Sequence, residues 1–456
     1  MAHAPIETLV ILGAGGDLTS RLLLPGLGSL LSSSRGRKLT VIGVDRDPMK
    51  DAAWRSRITA AFAGTRSALG ERVAKESFYL QADATSADDL ARVLAAASGR
   101  TAVYFALPPA IALKACTTMS TMKLPDGIVL ALEKPFGSDA KSARALNRLL
   151  ETLVPEEQVF RVDHFLGKST VLNLIGLRFA NRLFEPLLSA QNVERVELVI
   201  EEDLALEGRA GYYDHAGALV DMIQSHLLLV LALATMEAPS SVSSEDLRGA
   251  MAQVLRATKP WKKDGTSSRR ARYTAGTIGR RKLPAYTAEP GVVPSRRTET
   301  LAELTVSVDT WRWAGVPFVL RSGKAIGQPR QDLVFHFRDV PQLPTGFVGP
   351  ATGAQLRIGI KPATLDMDLV TNGRDDPFNL EHDVLHAEFG PSELSAYGEV
   401  LAELCEGDPT LSVRGDIAEQ CWRIVSPVLS AWRRDAVRLD TYPAGSRGPT
   451  SWKGLP

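Results

Sequence analysis

The sequence predicts an α/β unit built on a parallel sheet, followed by a larger α+β unit on a mainly antiparallel sheet. Three observations carry this. Up to about residue 162, short apolar runs alternate with segments whose leucines recur at helical spacing. From about Glu299 onward, strand-like runs follow one another with no helix between them. A glycine-rich turn joins the first apolar run to the first helix. These place the division between residues 1–165 and 166–456.

The first strand is the run Leu9 to Leu12, closed by Gly13, Gly15 and Gly16 and followed by the helical "LTSRLLLPGLGSLL". Further strands are expected in "KLTVIGVD", "ESFYLQAD", "TAVYFALPPA" and "GIVLALEKPFG", with helices such as "DDLARVLAAAS" between them. Strands alternating with helices pair in parallel, because each crossover helix returns the chain to the same end of the sheet. In the second half, "VERVELVIEEDLAL" predicts a long strand and "AGALVDMIQSHLLLVLALATM" a long buried helix. The strands "TETLAELTVSVDTWRW", "QDLVFHFRDV", "AQLRIGIKP" and "ATLDMDLVT" then follow, and two helices close the chain.

Composition narrows the function classes. The 456 residues carry 53 Lys+Arg against 52 Asp+Glu, a net charge of +1. That balance gives no global electrostatic case for nucleic acid or an anionic membrane as partner. The basic stretch 258–297 reads as a solvated connector with some strand. Cys116, Cys405 and Cys421 are few, odd in number and far apart, which argues against a disulfide framework and a thiolate metal site. No metal is expected. The N-terminus has no signal-peptide pattern, and the apolar run "LLLVLALATM" is short against about 30 Å of hydrocarbon. A cytoplasmic protein is expected.

The glycine turn carries chemistry. Without side chains, Gly13, Gly15 and Gly16 let the backbone approach a ligand, and the helix that follows aims free N–H groups at a phosphate. The second strand ends in "GVDRDP". An acid there binds adenosine ribose hydroxyls and favours NAD, whereas an arginine pairs with a 2′-phosphate and favours NADP. Asp45 and Arg46 supply both, so these residues leave the coenzyme open.

Taken together, the motifs resemble the glucose-6-phosphate dehydrogenase family. "GAGGDLTSRLLLPGL" is similar to its coenzyme turn, and "VYFALPP" and "EKPFG" to its next two signatures. "RVDHFLGK" resembles its substrate signature. "EGRAGYYD", "VDMIQSH", "WRWAGVPFVLRSGKAI" and "YPAGSRGP" follow in the family's order. The resemblance implies a Rossmann-like NADP-binding domain, a second domain for substrate binding and dimerisation, and a homodimer or dimer of dimers. It implies oxidation of glucose 6-phosphate at C1 to the 1,5-lactone with hydride transfer to NADP (NAD also possible), the first step of the oxidative pentose phosphate pathway.

Residue by residue, the resemblance makes His226 the general base and Asp163 the carboxylate that orients it. His164 and Lys168 match the phosphate ligands. Glu202 and Asp221 match groups that hydrogen-bond sugar hydroxyls, and Lys324 a lysine that reaches the substrate. Lys134 matches a residue between substrate and coenzyme, with a cis bond possible at Pro135. The coenzyme set is Gly13, Gly15, Gly16, Asp17, Leu18, Arg46, Tyr104 and Lys134.

The chain departs from the pattern at Ser20, Phe165, Val220, Ser225 and Pro329, and at Asp45, where a small residue is usual. Arg330 stands beside Pro329 as a substitute cation. Each lost donor or cation is worth about 1–3 kcal/mol of binding. The alternatives to this reading are an NAD-preferring dehydrogenase of another hexose 6-phosphate, a weakly active or regulatory paralogue that binds a sugar phosphate, and a zinc hydrolase built on "HDVLH" at His382 and His386.

Overall fold

The computed structural model describes residues 4–208, 210–349 and 353–452. The chain forms two compact units. The first comprises Met1–Leu172, Pro239–Ala252 and Pro391–Trp422, and the second Asn173–Ala238, Gln253–Gly390 and Arg423–Pro456.

The first unit is built on six parallel strands: β1 (Thr8–Leu12), β2 (Thr40–Asp45), β3 (Phe78–Gln81), β4 (Thr101–Phe105), β5 (Val129–Glu133) and β6 (Val159–Val162). Their order is β3-β2-β1-β4-β5-β6. The order reverses between β1 and β4, and in such sheets ligands bind beyond the C-terminal strand ends at this switch point. The strands read as near-continuous apolar runs because both faces are covered; every residue of β1 and β4 is buried. One cover comes from far along the chain. The helix Ala396–Glu406 packs Tyr397, Val400, Leu401 and Leu404 into the same core as Leu24, Leu27 and Leu31. Ser395 caps it by accepting from the Gly398 N–H.

The second unit holds a ten-stranded sheet. Its strands are β7 (Val193–Glu201), β8 (Thr258–Pro260), β9 (Ser268–Thr274), β12 (Leu301–Val308), β13 (Pro317–Gly323), β14 (Gln331–Phe337), β15 (Gln355–Gly359), β16 (Thr364–Asn372), β17 (Leu380–Glu388) and β18 (Leu439–Pro443). A separate hairpin pairs β10 (Gly276–Ile278) with β11 (Arg281–Leu283). The order is β17-β16-β15-β14-β7-β13-β12-β9-β18, with β8 beside β12. Most pairs are antiparallel, but β7 runs parallel to β13 and β9 parallel to β18. The sheet is therefore mixed.

The long buried helix has a break. Gly217 takes φ +66°, a conformation that favours glycine, inside Ala210–Ala218. The chain then winds as a wide π-helix over Leu219–Leu227 and as an α-helix over Leu228–Thr235. By length and apolar character the whole span Ala210–Thr235 would suffice to cross a membrane, but 78% of its most apolar window is buried inside the protein. It is a core helix. The "HDVLH" segment forms the strand β17, not a helix. His382 and His386 lie about 13 Å apart along it, and His386 pairs with Asp366 at 2.5 Å. A zinc-binding H-E-x-x-H helix is thus ruled out here, and no cluster of three His, Cys, Asp or Glu side chains is found among the described residues.

Candidate active site

The expected site residues fall into two groups, one in each unit. In the first unit they gather at the C-terminal ends of β1, β2, β5 and β6. Gly13 receives the chain at φ +89°, and a methyl group there would lie 2.2 Å from the Ala106 carbonyl oxygen, so only glycine fits. The Gly13 and Ala14 N–H groups donate to the Val44 carbonyl at 2.8 and 3.0 Å, which fastens the turn to the end of β2. Helical winding begins at Asp17. Asp17 is exposed and forms a loose pair with Arg21 at 3.5 Å, while Leu18 packs against the core. Ser20, where the family pattern has a cation, folds its hydroxyl back onto the Gly16 carbonyl at 3.2 Å.

Such a side-chain-free turn ahead of a helix fits a dinucleotide pyrophosphate. Gly13, Gly15, Gly16 and the helix start would hold it, and Asp45 and Arg46 stand at its adenosine end. Arg46 is well exposed, with Nε 3.9 Å from Asp47. Tyr104 differs from expectation. Its side chain is fully buried in β4, and its hydroxyl donates to Glu133 at 2.5 Å. That corrects it from a coenzyme contact to a support beneath the site.

Glu133, the last residue of β5, was missed from sequence. Its carboxylate accepts from Tyr104 and, at 3.2 Å, from Tyr397. Burial pushes its pKa up to about 7, while the two tyrosine hydroxyls pull it down. Lys134 follows directly, and the Lys134–Pro135 bond is cis. The Trp422 indole N–H donates to the Phe136 carbonyl at 3.0 Å and fixes this loop from below. The ring of Tyr397 stacks on His164, with centroids 5.7 Å apart. Tyr397 lies more than two hundred residues beyond His164, and no local pattern marks it.

Asp163 is fully buried just past β6, and its Oδ1 accepts the Phe165 N–H at 3.0 Å. His164 to Gly167 form tight turns, closed by Leu166 N–H to the Asp163 carbonyl and Gly167 N–H to that of His164. Lys168 stands at the start of the helix Ser169–Phe179, its carbonyl accepting the Val171 N–H at 2.9 Å. Its ammonium lies 3.7 Å from the centroid of the Phe165 ring. Phe165 thus offers Lys168 a cation–π contact where the family pattern often has a tyrosine.

In the second unit the parallel register of β7 and β13 does the positioning. Glu201 stands opposite Gly323, so the next residues, Glu202 and Lys324, emerge side by side. The Glu202 N–H donates to the Gly323 carbonyl at 2.9 Å, and the side chains form an ion pair at 2.5 Å. The Lys324 ammonium also lies 5.2 Å from the centre of the Tyr213 ring. Tyr213 is buried; burial first, then the nearby Asp221 charge, raises its hydroxyl well above its ordinary range. Asp221 thus joins Glu202 and Lys324 around Tyr213. Arg330, the possible substitute for a cation at Pro329, is committed elsewhere, pairing with Asp332 at 2.9 Å and Glu197 at 3.3 Å.

His226 is buried on the wide helix. In an α-helix, residues five apart diverge by about 140° around the axis. Where bonds close from i to i+5, they return to one side, and such widenings recur at functional sites. Asp221 and His226 are so related. Glu299 anchors the start of this helix, its carboxylate accepting the Leu219 N–H at 3.0 Å. Burial pushes the Glu299 pKa from 4.5 up to about 7.

A folded-state pKa above the unfolded value means the folded state holds the proton between those limits. Stability from this group is therefore fullest at low pH and declines as pH rises from about 4.5 to about 7. Glu299→Gln keeps an acceptor for Leu219 and removes the ionisation. Calorimetry should show the variant gaining on wild type as pH is raised from 5 to 8. Parallel melting curves across that range would contradict the buried charge.

A six-stranded parallel sheet with a glycine turn at its switch point defines a nucleotide-binding unit of the kind used by dinucleotide-dependent oxidoreductases. The particular family follows from comparison with known proteins. Residues 10–173 match the family model described as glucose-6-phosphate dehydrogenase, NAD binding domain, and residues 175–455 that of its C-terminal domain. The glucose-6-phosphate 1-dehydrogenase of Gluconobacter oxydans is 36% identical over 96% of this chain and 94% of its own length. That of Treponema pallidum is 34% identical over 97% and 92%. The crystal structure of the Mycobacterium avium enzyme superposes with a TM-score of 0.86 at 32% identity, covering 98% of this chain and 95% of that one. A glucose-6-phosphate dehydrogenase in complex with its substrate glucose 6-phosphate gives 0.89 at 25% identity, covering 99% and 97%. The chain belongs to the glucose-6-phosphate dehydrogenase family. It is an oxidoreductase that acts on the C1 hydroxyl of glucose 6-phosphate, with NADP as coenzyme.

Proposed function

We propose that His226 is the general base of this oxidation, with Asp163 orienting its imidazole. The supporting observation is the wide helix Leu219–Leu227, which turns the buried histidine and Asp221 toward one side. A neutral imidazole nitrogen suits removal of the C1 hydroxyl proton as hydride leaves. When bound, the coenzyme supplies a hydride acceptor. The chain's own residues hold the sugar. His164 and Lys168 bind the 6-phosphate, Lys168 being held in place by Phe165. Glu202 and Asp221 accept hydrogen bonds from ring hydroxyls, and Lys324 and Lys134 reach the substrate. The coenzyme turn is Gly13, Gly15, Gly16, Asp17 and Leu18, with Arg46 reading the 2′-phosphate. Turnover of an Asp163→Asn variant tests the pairing: the loss should be strongly non-additive with loss of His226, whereas additive losses would separate the two residues.

The product class, a 6-phosphogluconolactone, fits the first step of the oxidative pentose phosphate pathway, and we propose that the enzyme works in the cytoplasm, with neither nucleic acid nor membrane as partner. We also propose a homodimer, or a dimer of dimers, formed through the second unit's sheet. Terminal strand β17 is nine residues long and leaves Val384 and Leu385 exposed. An open edge of that length is a template for pairing with another chain, and a second copy would cover it. Sedimentation equilibrium at micromolar concentration should give at least twice the monomer mass; a monomer would contradict this.

A further inference from the structure

We infer that Asp45 is a specificity-determining residue at the adenosine end of the coenzyme turn, whose carboxylate lets the enzyme accept NAD alongside NADP. This rests on the glycine turn as the coenzyme site. Asp45 is the last residue of β2, one past the Leu12–Val44 pair, so it lies directly beside the turn. Its Oδ2 accepts the Gly15 N–H at 3.0 Å and its Oδ1 the Arg46 N–H at 2.8 Å. The carboxylate is thereby fixed before a coenzyme arrives, and it cannot swing away without giving up both bonds.

Each carboxylate oxygen keeps a second lone pair. The two ribose hydroxyls of NAD are donors and can use them. The 2′-phosphate of NADP is acceptor-only and carries a charge of about −1.5 to −2 at neutral pH, so it meets a like charge that cannot retreat. The surroundings do not overwhelm this charge. Arg46 is solvated and its Nε lies 3.9 Å from Asp47. Arg57 reaches the same turn, but its Nη1 donates to the Ala14 carbonyl at 3.0 Å. Arg46 and Arg57 are thus balanced in number by Asp45 and Asp47, so the charge beside the turn is nearly neutral and does not demand a phosphate.

The test is equilibrium titration of the full-length protein with NADH and NADPH, followed by nucleotide fluorescence, in wild type, Asp45→Asn and Asp45→Ala. Asparagine keeps an acceptor for the Gly15 N–H, so it removes the charge with the turn intact. Wild type should bind both nucleotides with Kd values within about tenfold of each other. Both variants should shift the ratio of Kd values toward NADPH by about tenfold or more, the size expected for removing a like charge at a few ångströms near a protein surface. Arg46→Ala should shift it the other way. Melting temperatures report whether each variant folds, and wild-type NADH binding stands without any variant. A wild type that excludes NADH, or an unchanged ratio in both folded Asp45 variants, overturns the inference while leaving NADP use intact. Binding of neither nucleotide by wild type would overturn the coenzyme turn itself.

Discussion

Replacing His226 with asparagine lowers kcat by about 10²–10⁴-fold, the usual contribution of a positioned general base, and leaves the KM for glucose 6-phosphate within a few-fold of wild type. The asymmetry follows from the role. The imidazole acts on a proton that moves only as the C1–H bond breaks, so its loss removes an interaction made in the transition state. Asparagine fits the buried position and keeps a hydrogen-bonding edge, but it cannot accept the proton. Steady-state kinetics of both proteins check kcat and KM together. Turnover near wild type would remove His226 from the role.

Replacing Lys168 with alanine has the opposite signature. A charge-assisted contact to phosphate is worth about 1.5–3 kcal/mol, so KM for glucose 6-phosphate should rise by about 10–100-fold. kcat should change much less, because the phosphate is remote from C1. The decisive control is unphosphorylated glucose. Wild type should prefer glucose 6-phosphate over glucose strongly, and the variant should lose most of that preference by losing only the phosphorylated substrate. An unchanged preference would take Lys168 away from the phosphate. Phe165→Tyr is the companion change: it restores a hydroxyl at the ring beneath the lysine ammonium, and it should lower KM if the family's tyrosine serves the phosphate directly.

Much of the fold could be read from apolar spacing, because a parallel sheet covered on both faces leaves little room for polar residues in its strands. Each of the five stretches assigned as strands from Thr8 to Glu133 contains one. Direction was harder to read. Alternation in "VERVELVIEE" marks a strand but not its neighbours, and β7 lies parallel to β13 in the middle of the sheet. That pairing brings Glu202 to Lys324. The wide turn at Leu219–Leu227 leaves the apolar pattern of a long helix nearly unchanged, so only the backbone reveals how Asp221 and His226 are related. Glu133, Tyr397 and Glu299 share another cause. Each works by burial, and burial of a lone acid or tyrosine depends on contacts distant in sequence. Glu133 opens the stretch "EKPFG", whose local pattern marks only the lysine. "HDVLH" shows the reverse case, a motif whose spacing has meaning on a helix and loses it on the strand β17.

The most direct measurement is absorbance of the reduced nucleotide when purified protein, glucose 6-phosphate and NADP are mixed. NADPH should form in step with glucose 6-phosphate consumed, with a lactone that opens to 6-phosphogluconate as the sugar product. Absence of NADPH at saturating concentrations of both, from protein shown to be folded, would contradict the dehydrogenase and leave a sugar-phosphate-binding protein without turnover.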